Sequence, residues 1–578
     1  MIRCLMHEQS HVSRTCGRAE LGVWAGLVSR DGSSVACGWN GSRTVGLLLA
    51  GETFADPGAE SGCVKNGQEG LQGLLALYEK CGFRFLERLN GWFSGILLDL
   101  HNQQTTLFND RYGLGRVYCH QSTEAFSFSS EAKSLLKVLP QTRRLDERGL
   151  AEWLTCGCVL QNRTLFSDVF LLPPGSAWTF SPDGKLTKRR YFEPKAWESQ
   201  PVLSASAYYE RLEEVFPKVL KRYLNGKDSV AMSLTGGLDG RMIMAWSPLG
   251  PGELPCYTFN GPLRECADVK IARKVARACR QPHQTIPVGD QFFAEFPALA
   301  EKTVYLTDGA MDATGAVELY VNRLARQIAP VRLTGNYGSE ILRGNVAFKP
   351  HELNGEIFSP DLLQQTRAAA RTYSEEAAGN RLSFIAFKQM PWHHFARFAA
   401  EQSQLQVRSP FLDNDLVALA FQRSPEAAMS LEPSLRLIAE GNPQLGRIPT
   451  DRGLTCPAGR AANRVNRCVK EFLAKAEYAY DYGMPNWLAR IDKSLAPLRL
   501  QRLFLGRQKF CHFRSWYRHE LAEDVKQILL DPPSRTRPWV KGCALEAMVT
   551  AHVRGTRNYT LELHKLVALE LIQRKLLS

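Results

Sequence analysis

Nine residues, Ser233 to Arg241, read SLTGGLDGR and gather two adjacent glycines, two hydroxyls and a carboxylate into one short stretch. Paired glycines let the main chain approach an anion closely, and the free N–H groups opening a following helix would face that anion with the positive end of the helix dipole. Leu234, Thr235, Gly236, Gly237 and Gly240 are the candidate cradle for a nucleotide phosphate. Asp239 supplies a hard carboxylate able to hold Mg2+ against phosphate oxygens. The pattern is neither GxxxxGK[ST] nor GxGxxG, which excludes a Walker loop and a dinucleotide fingerprint. A glycine-rich turn that binds nothing fits the same residues.

The elements around this loop must deliver it. KDSVAMSL before it reads as an apolar strand and DGRMIMAW after it as a helix; LPCYTFN, HQTIPVG and PVRLTGN are further strands, and ADVKIARKVARACRQ is a helix with Ile271, Val275 and Ala278 on one face. Alternating strands and helices imply a parallel sheet whose ligand site lies at the C-terminal strand ends. Upstream, residues 20–180 read mainly as strands and turns: LGVWAGLVS, TVGLLLAG, GWFSGILLDL, TTLFND, RVYCHQ and AFSFSS. Two helices interrupt them, QEGLQGLLALYEKCG and SSEAKSLLKVL, the second with Ser130 as its expected N-cap. A hairpin is expected around Asp183 and Gly184, and WESQPVLSASA reads as a linker. From about residue 380 the pattern is nearly all helical.

Composition bounds the rest. The 578 residues are 44% hydrophobic and 22% charged, which excludes disorder, collagen and coiled coil as global descriptions. Fifteen scattered cysteines without a CxxC pair argue for a reducing compartment and against a disulfide or zinc framework. The start MIRCLMHEQSHVSR lacks the apolar core of a signal peptide, and no apolar run approaches the length of a membrane span, so a cytoplasmic, soluble chain is expected. Of the net +14, residues 451–578 carry +11, from 23 basic and 12 acidic side chains. That stretch meets something anionic, such as RNA, or forms solvated helix faces as NYTLELHKLVALELIQRKLL suggests; without a recognisable RNA-binding module, nucleic acid is not the expected partner.

The strand, loop and helix at SLTGGLDGR resemble the pyrophosphate loop of the N-type ATP pyrophosphatases, usually written SGGLDS. The wider chain resembles the asparagine synthetase family, in the order LERLNGWFSGILLDL, LFNDRYGLGRVY, FSSEAKSLL, TLFSDVFLLPPGSAWTF, SLTGGLDGR, LTGNYGSEILRG and RSPFLDNDLVALA. The resemblance implies an α/β protein with an Ntn-hydrolase-like α/β sandwich over residues 1–200 and a Rossmann-like synthetase domain with a helical C-terminal region over 205–578. It implies ATP and Mg2+ as cofactors, a small-molecule carboxylate and ammonia or another amine as partners, and a possible homo-oligomer. The reaction implied is activation of the carboxylate, aspartate by default, as an acyl-adenylate, followed by amidation.

Departures from the family pattern qualify this. Its second motif is close to SGEGSDELFGG; with Tyr337 as a one-residue insertion in TGNYGSEILRG, Gly335 falls in register, Glu340 takes the place of the second metal-binding aspartate, and Asn336 replaces a glutamate. Glu340 is then a catalytic and metal-binding candidate, or a solvated acid at a helix start. Gly240 stands where the family has serine. The phosphate-contacting lysine expected near RIPTDRG is absent, leaving Arg447 and Arg452; Arg452 is the candidate catalytic cation or else a surface residue. Arg408 in RSPFLD matches a family arginine or belongs to a packing segment. Family glutaminases carry cysteine at position 2, where this chain has Ile2, and Ala50 in AGETFA replaces an asparagine of the oxyanion site. Cys4 and Cys16 read better as structural thiols, so an inactive glutaminase-like domain is expected. A non-catalytic nucleotide-binding homologue and a ligase acting on a peptide, metabolite or RNA are the alternatives.

Overall fold

The structure, a computed structural model, describes residues 11–18, 21–30, 35–54, 68–226, 228–428, 430–456, 461–495 and 500–578. β1 (His11–Arg18) and β2 (Val23–Arg30) form an antiparallel ribbon. β3 (Val35–Trp39), β4 (Val45–Thr53), β5 (Gly91–Asp99) and β6 (Gln104–Asn109) follow, then the small sheet of β7 (Tyr118–Gln121), β8 (Phe126–Ser129) and β9 (Phe170–Leu171). β10 (Ser176–Phe180) and β11 (Leu186–Arg190) close the six-stranded antiparallel order β11-β10-β6-β5-β4-β3, and β10–β11 is the hairpin expected at Asp183 and Gly184. The run TVGLLLAG is apolar throughout because both faces of β4 are covered: Leu47 and Leu49 pack with Leu71, Leu74 and Leu75, while Leu48 packs with Ile96 and Leu107 on the other side. Those three leucines and Tyr78 lie on one face of α1 (Gln68–Cys81), as their spacing requires.

The helix over Ala132–Val138 departs from expectation at its start. Ser130 is not its N-cap; the backbone N–H groups of Ala132 and Lys133 donate to the Asp308 carboxylate at 2.8 and 3.0 Å, so the cap comes from the second half of the chain.

α2 (Ala205–Leu224) opens that half, with Ser204 Oγ accepting from Ala207 N–H. β12 (Val230–Ser233), α3 (Asp239–Trp246), β13 (Cys256–Asn260), α4 (Ala267–Ala278), β14 (His283–Pro287), β15 (Val331–Thr334), the short α5 (Gly338–Arg343) and β16 (Gln406–Arg408) build a parallel sheet in the order β14-β13-β12-β15-β16. β12 and β15 are each buried along their whole length, as a sheet covered on both faces demands. The strand order reverses at β12, with β13 and β14 to one side and β15 and β16 to the other, so the loops after β12 and β15 flank a topological switch point.

Beyond β16 the described chain is helical, including α6 (Asn414–Phe421), α7 (Glu432–Gly441), α8 (Ala461–Tyr478) and α9 (Thr560–Ile572). The solvated face expected in NYTLELHKLVALELIQRKLL is not what forms. Leu563, Leu566, Val567, Leu569 and Leu571 are buried, Glu570 is ion-paired to Arg537 at 2.9 Å and Arg574 at 2.8 Å, and Lys565 to Asp312 at 3.2 Å. Charges that looked solvated in the sequence are satisfied inside the packed helices. No helix among the described residues is long and apolar enough to cross a membrane.

Candidate active site

The loops after β12 and β15 open onto one cavity of about 230 Å³. From the first loop and the start of α3, Thr235, Gly237, Asp239 and Gly240 line it, and from the second loop and α5, Gly335, Asn336, Tyr337, Ser339 and Glu340. Two glycines let these segments pack closely, Gly335 against backbone and Gly338 against the Asp239 side chain. A Cβ on Gly335 would lie 2.5 Å from the Gly240 nitrogen, and one on Gly338 would lie 2.6 Å from Cγ of Asp239. Tyr337 precedes α5 in the left-handed conformation, φ 72°, that glycine usually takes. It is therefore the turn residue of the second loop, held there by edge-to-face contacts with Trp92 at 6.4 Å and His394 at 5.3 Å.

Asp239 and Glu340 thus face the same space, as the sequence reading requires. Burial, offset by the neighbouring Arg343, pushes the Asp239 carboxyl up to about 6. Asp239 Oδ1 accepts from Arg343 Nη2 at 2.6 Å, and the Ser339 backbone N–H also donates to it. Glu340 Oε2 accepts from Ser339 Oγ at 2.8 Å. Among the described residues no group of three or more His, Cys, Asp or Glu side chains is placed to hold a metal ion. Two carboxylates fit Mg2+ only as a partial shell that phosphate oxygens and water would complete.

Three of the expected site residues do not line the cavity. Leu234 is fully buried, with its backbone N–H donating to Tyr257 O. The Gly236 N–H is taken by Asp268 Oδ1 at 2.8 Å. Arg452 is exposed on the turn closed by Gly453 N–H to Thr450 O at 2.9 Å, and Arg447 is exposed as well. That turn still adjoins the glycine loop: Asp451 N–H donates to Gly236 O at 3.1 Å, and buried Arg241 holds the carbonyl oxygens of Leu445, Ile448 and Gly236. A side chain at Gly240 would begin 3.1 Å from Met232 Cε, leaving little room for the serine of the family pattern.

The cavity lining also contains groups that the sequence did not single out: Ser233, Arg332, His394 and Arg397. Arg332 donates to Ser233 Oγ at 3.1 Å and pairs with Glu401 at 3.1 Å; Arg397 pairs with Glu318 at 2.9 Å. His394 ends a π-helical stretch, Ile385–His394, and burial together with Arg397 pushes its imidazole down to about 3. It is neutral at neutral pH, and Gln389 Nε2 donates to its Nε2 at 3.1 Å. Glu340 Oε1 lies 3.6 Å from the same nitrogen. The dipeptide His393-His394 was the one signal available, and its spacing matched no metal or catalytic pattern.

Two family models match in tandem, a glutamine amidotransferase domain over residues 67–192 and asparagine synthase over residues 211–437. Every residue lining the cavity falls within the second. The chain carries an asparagine synthase domain. It is similar to a Bacillus subtilis asparagine synthetase [glutamine-hydrolyzing], 22% identical over 48% of this chain and 44% of the relative, and to a putative asparagine synthetase of Methanocaldococcus jannaschii, 22% identical over 47% and 53%. An Arabidopsis thaliana asparagine synthetase is 23% identical over 71% of this chain and 62% of its own length. The chain thus spans about half the length of the first relatives it matches.

As an asparagine synthetase relative, the chain is informative at its N-terminal domain. Ile2 and Cys4 lie outside the described residues, and Cys16 stands inside β1, opposite Ala25. Ala50 pairs with Ser94 of β5. Glu52 of the same AGETFA segment reaches Arg408 at 2.7 Å, and both side chains are buried, 7% and 3% exposed. Arg408 in RSPFLD is therefore an ion-pair partner across the two halves of the chain, not a lining residue of the cavity.

Proposed function

We propose that this protein is an ATP-dependent carbon–nitrogen ligase of asparagine synthetase type. The observation that carries the reading is the meeting of Asp239, which opens α3, and Glu340, in the first turn of α5, each just past the C-terminal end of a parallel strand, over a glycine-lined cavity. ATP phosphates belong against Thr235, Gly237 and the first turn of α3. Asp239 and Glu340 would hold Mg2+, which when bound neutralises charge on the phosphate oxygens. A carboxylate oxygen of the substrate attacks the α-phosphorus, the bond to the bridging oxygen breaks, and pyrophosphate leaves. An amine nitrogen then attacks the acyl carbon, AMP departs, and the nitrogen loses a proton. Neutral His394 and the paired Arg332 and Arg397 form a fixed polar wall on the acyl side that orients substrate without adding net charge.

Aspartate is the default carboxylate. Ammonia or another amine is the proposed nitrogen source, because Ala50 stands where the family glutaminase has an asparagine of its oxyanion site. Exchange of labelled pyrophosphate into ATP, tested with aspartate and then with a panel of acids, checks the first half-reaction. Exchange that depends on one acid is expected; none with any acid would favour a non-catalytic nucleotide-binding role. Steady glutamate release from glutamine would overturn the nitrogen assignment.

A further inference from the structure

Arg343 stands in the second site motif at a position where SGEGSDELFGG carries no charge: phenylalanine if Tyr337 is an insertion, glycine if it is not. The structure gives that guanidinium a definite use. Arg343 Nη2 donates to Asp239 Oδ1 at 2.6 Å, with the side chains only 10% and 19% exposed, and Nη1 lies 3.4 Å from Ser434 Oγ on α7. Arg343 does not line the cavity; it holds Asp239 from behind. A pair so little exposed is weakly screened by salt, and the guanidinium cannot lose its proton to release the carboxylate.

A divalent cation arriving alone would meet an Asp239 whose charge is already compensated, with Glu340 as the other protein carboxylate and no third carboxylate, histidine or cysteine to complete a cluster among the described residues. Mg2+ sheds its hydration shell reluctantly and is usually held by one or two carboxylates with substrate phosphates. A metal that brings triphosphate oxygens with it has the negative charge that this site has cancelled on its own side.

We propose that Arg343 is an internal counter-ion that prevents Asp239 from binding a divalent cation by itself, so that metal enters this site only together with the nucleotide. The role rests on the nucleotide reading above and makes Arg343 a positioning residue, acting through Asp239 and not on the reacting atoms.

The test is Mn2+ binding to the full chain, followed by electron paramagnetic resonance, without nucleotide and with α,β-methylene-ATP, which cannot release pyrophosphate. Wild type is expected to bind Mn2+ weakly alone and tightly with the analogue. Arg343→Met should bind Mn2+ alone roughly tenfold or more tightly than wild type, the scale of one mostly buried ion pair removed. Arg343→Lys, which keeps the charge, should resemble wild type, and adding Asp239→Asn to Arg343→Met should abolish the gain. Tight Mn2+ binding by wild type without nucleotide overturns the proposal whatever the variants do. So does a folded Arg343→Met, or Arg343→Gln if the methionine variant does not fold, that binds Mn2+ no better than wild type. Failure of the analogue to bind any of these proteins counts against the nucleotide reading instead.

Discussion

At the scale of single residues the cavity sorts the candidates by what their side chains can reach. Asp239 and Glu340 face it, so Asp239→Asn and Glu340→Gln are each expected to cut pyrophosphate exchange at least about a hundredfold with the fold intact, as for loss of one electrostatic contact to a transferring group. Arg452 is different. A cation at the leaving pyrophosphate would contribute roughly 2–4 kcal/mol of transition-state stabilisation, but Arg452 is exposed and outside the cavity lining. Arg452→Ala is therefore expected to turn over within a few-fold of wild type, and a large loss in kcat at unchanged ATP affinity would mean that the turn at Thr450–Leu454 closes over bound ATP. Asp239 and the glycines were legible because their types are rare together after a strand. His394, Arg332 and Arg397 were not, because they come from separate elements and only the folded sheet brings them to one wall.

Whole elements follow the same division. β12, β13 and β15 of the parallel sheet were legible as apolar runs, since burial removes polar residues from them, whereas β16, three residues long, lies in a stretch whose pattern reads as nearly all helical. β1, HVSRTCGR, was not, because an edge ribbon with little apolar content carries no such pattern. The cap on Ala132–Val138 was read as local, Ser130, and is supplied from Asp308; sequence proximity cannot signal a partner 176 residues away. Close loop packing makes one element-scale prediction. Gly338→Ala places a methyl group 2.6 Å from Asp239 Cγ. The two loops must part, which should cost about 1–3 kcal/mol of stability and weaken ATP binding more than tenfold in a direct binding assay.

A second element-scale prediction concerns acid. His552 accepts a hydrogen bond from Tyr559 N–H at 3.0 Å, and burial pushes its imidazole down to about 3. The folded value lies below the unfolded one near 6.5, so the unfolded chain takes up a proton that the folded chain refuses. The stability supplied by neutral His552 is complete above pH 6.5 and is lost progressively as pH falls toward 3. In denaturant melts, the advantage of wild type over His552→Gln should therefore shrink by about 2 kcal/mol between pH 7 and pH 5. An unchanged difference would show that the imidazole is not held neutral.

Across the whole molecule, one hydrophobic core ignores the boundary between the two family domains. Phe54, Trp92 and Tyr112 pack in the same cluster as Met232, Leu333 and Ile341, and Phe54 stacks on Tyr223 with ring centroids 4.1 Å apart. Asn90 and Tyr112 hydrogen-bond to Asp413 and Asn414 at the start of α6. The Glu52–Arg408 pair lies inside this seam. Glu52→Ala leaves Arg408 buried with its charge uncompensated and should cost about 3–5 kcal/mol, whereas replacing both with apolar residues of similar volume should be far milder. Equal thermal stability of Glu52→Ala and wild type would show that water reaches the seam.

The contact between Trp92 and Tyr337 gives this seam a genealogical meaning. Tyr337 is the turn of the second site loop, and the indole that supports it belongs to the N-terminal domain. Whatever the N-terminal domain does at its own site, its Trp92 face is tied to the loop it supports in the other domain. Among descendants of such a chain, Trp92 and Tyr337 should change together or not at all, and deletion of the N-terminal domain should be missing from lineages that keep the second loop in its present form.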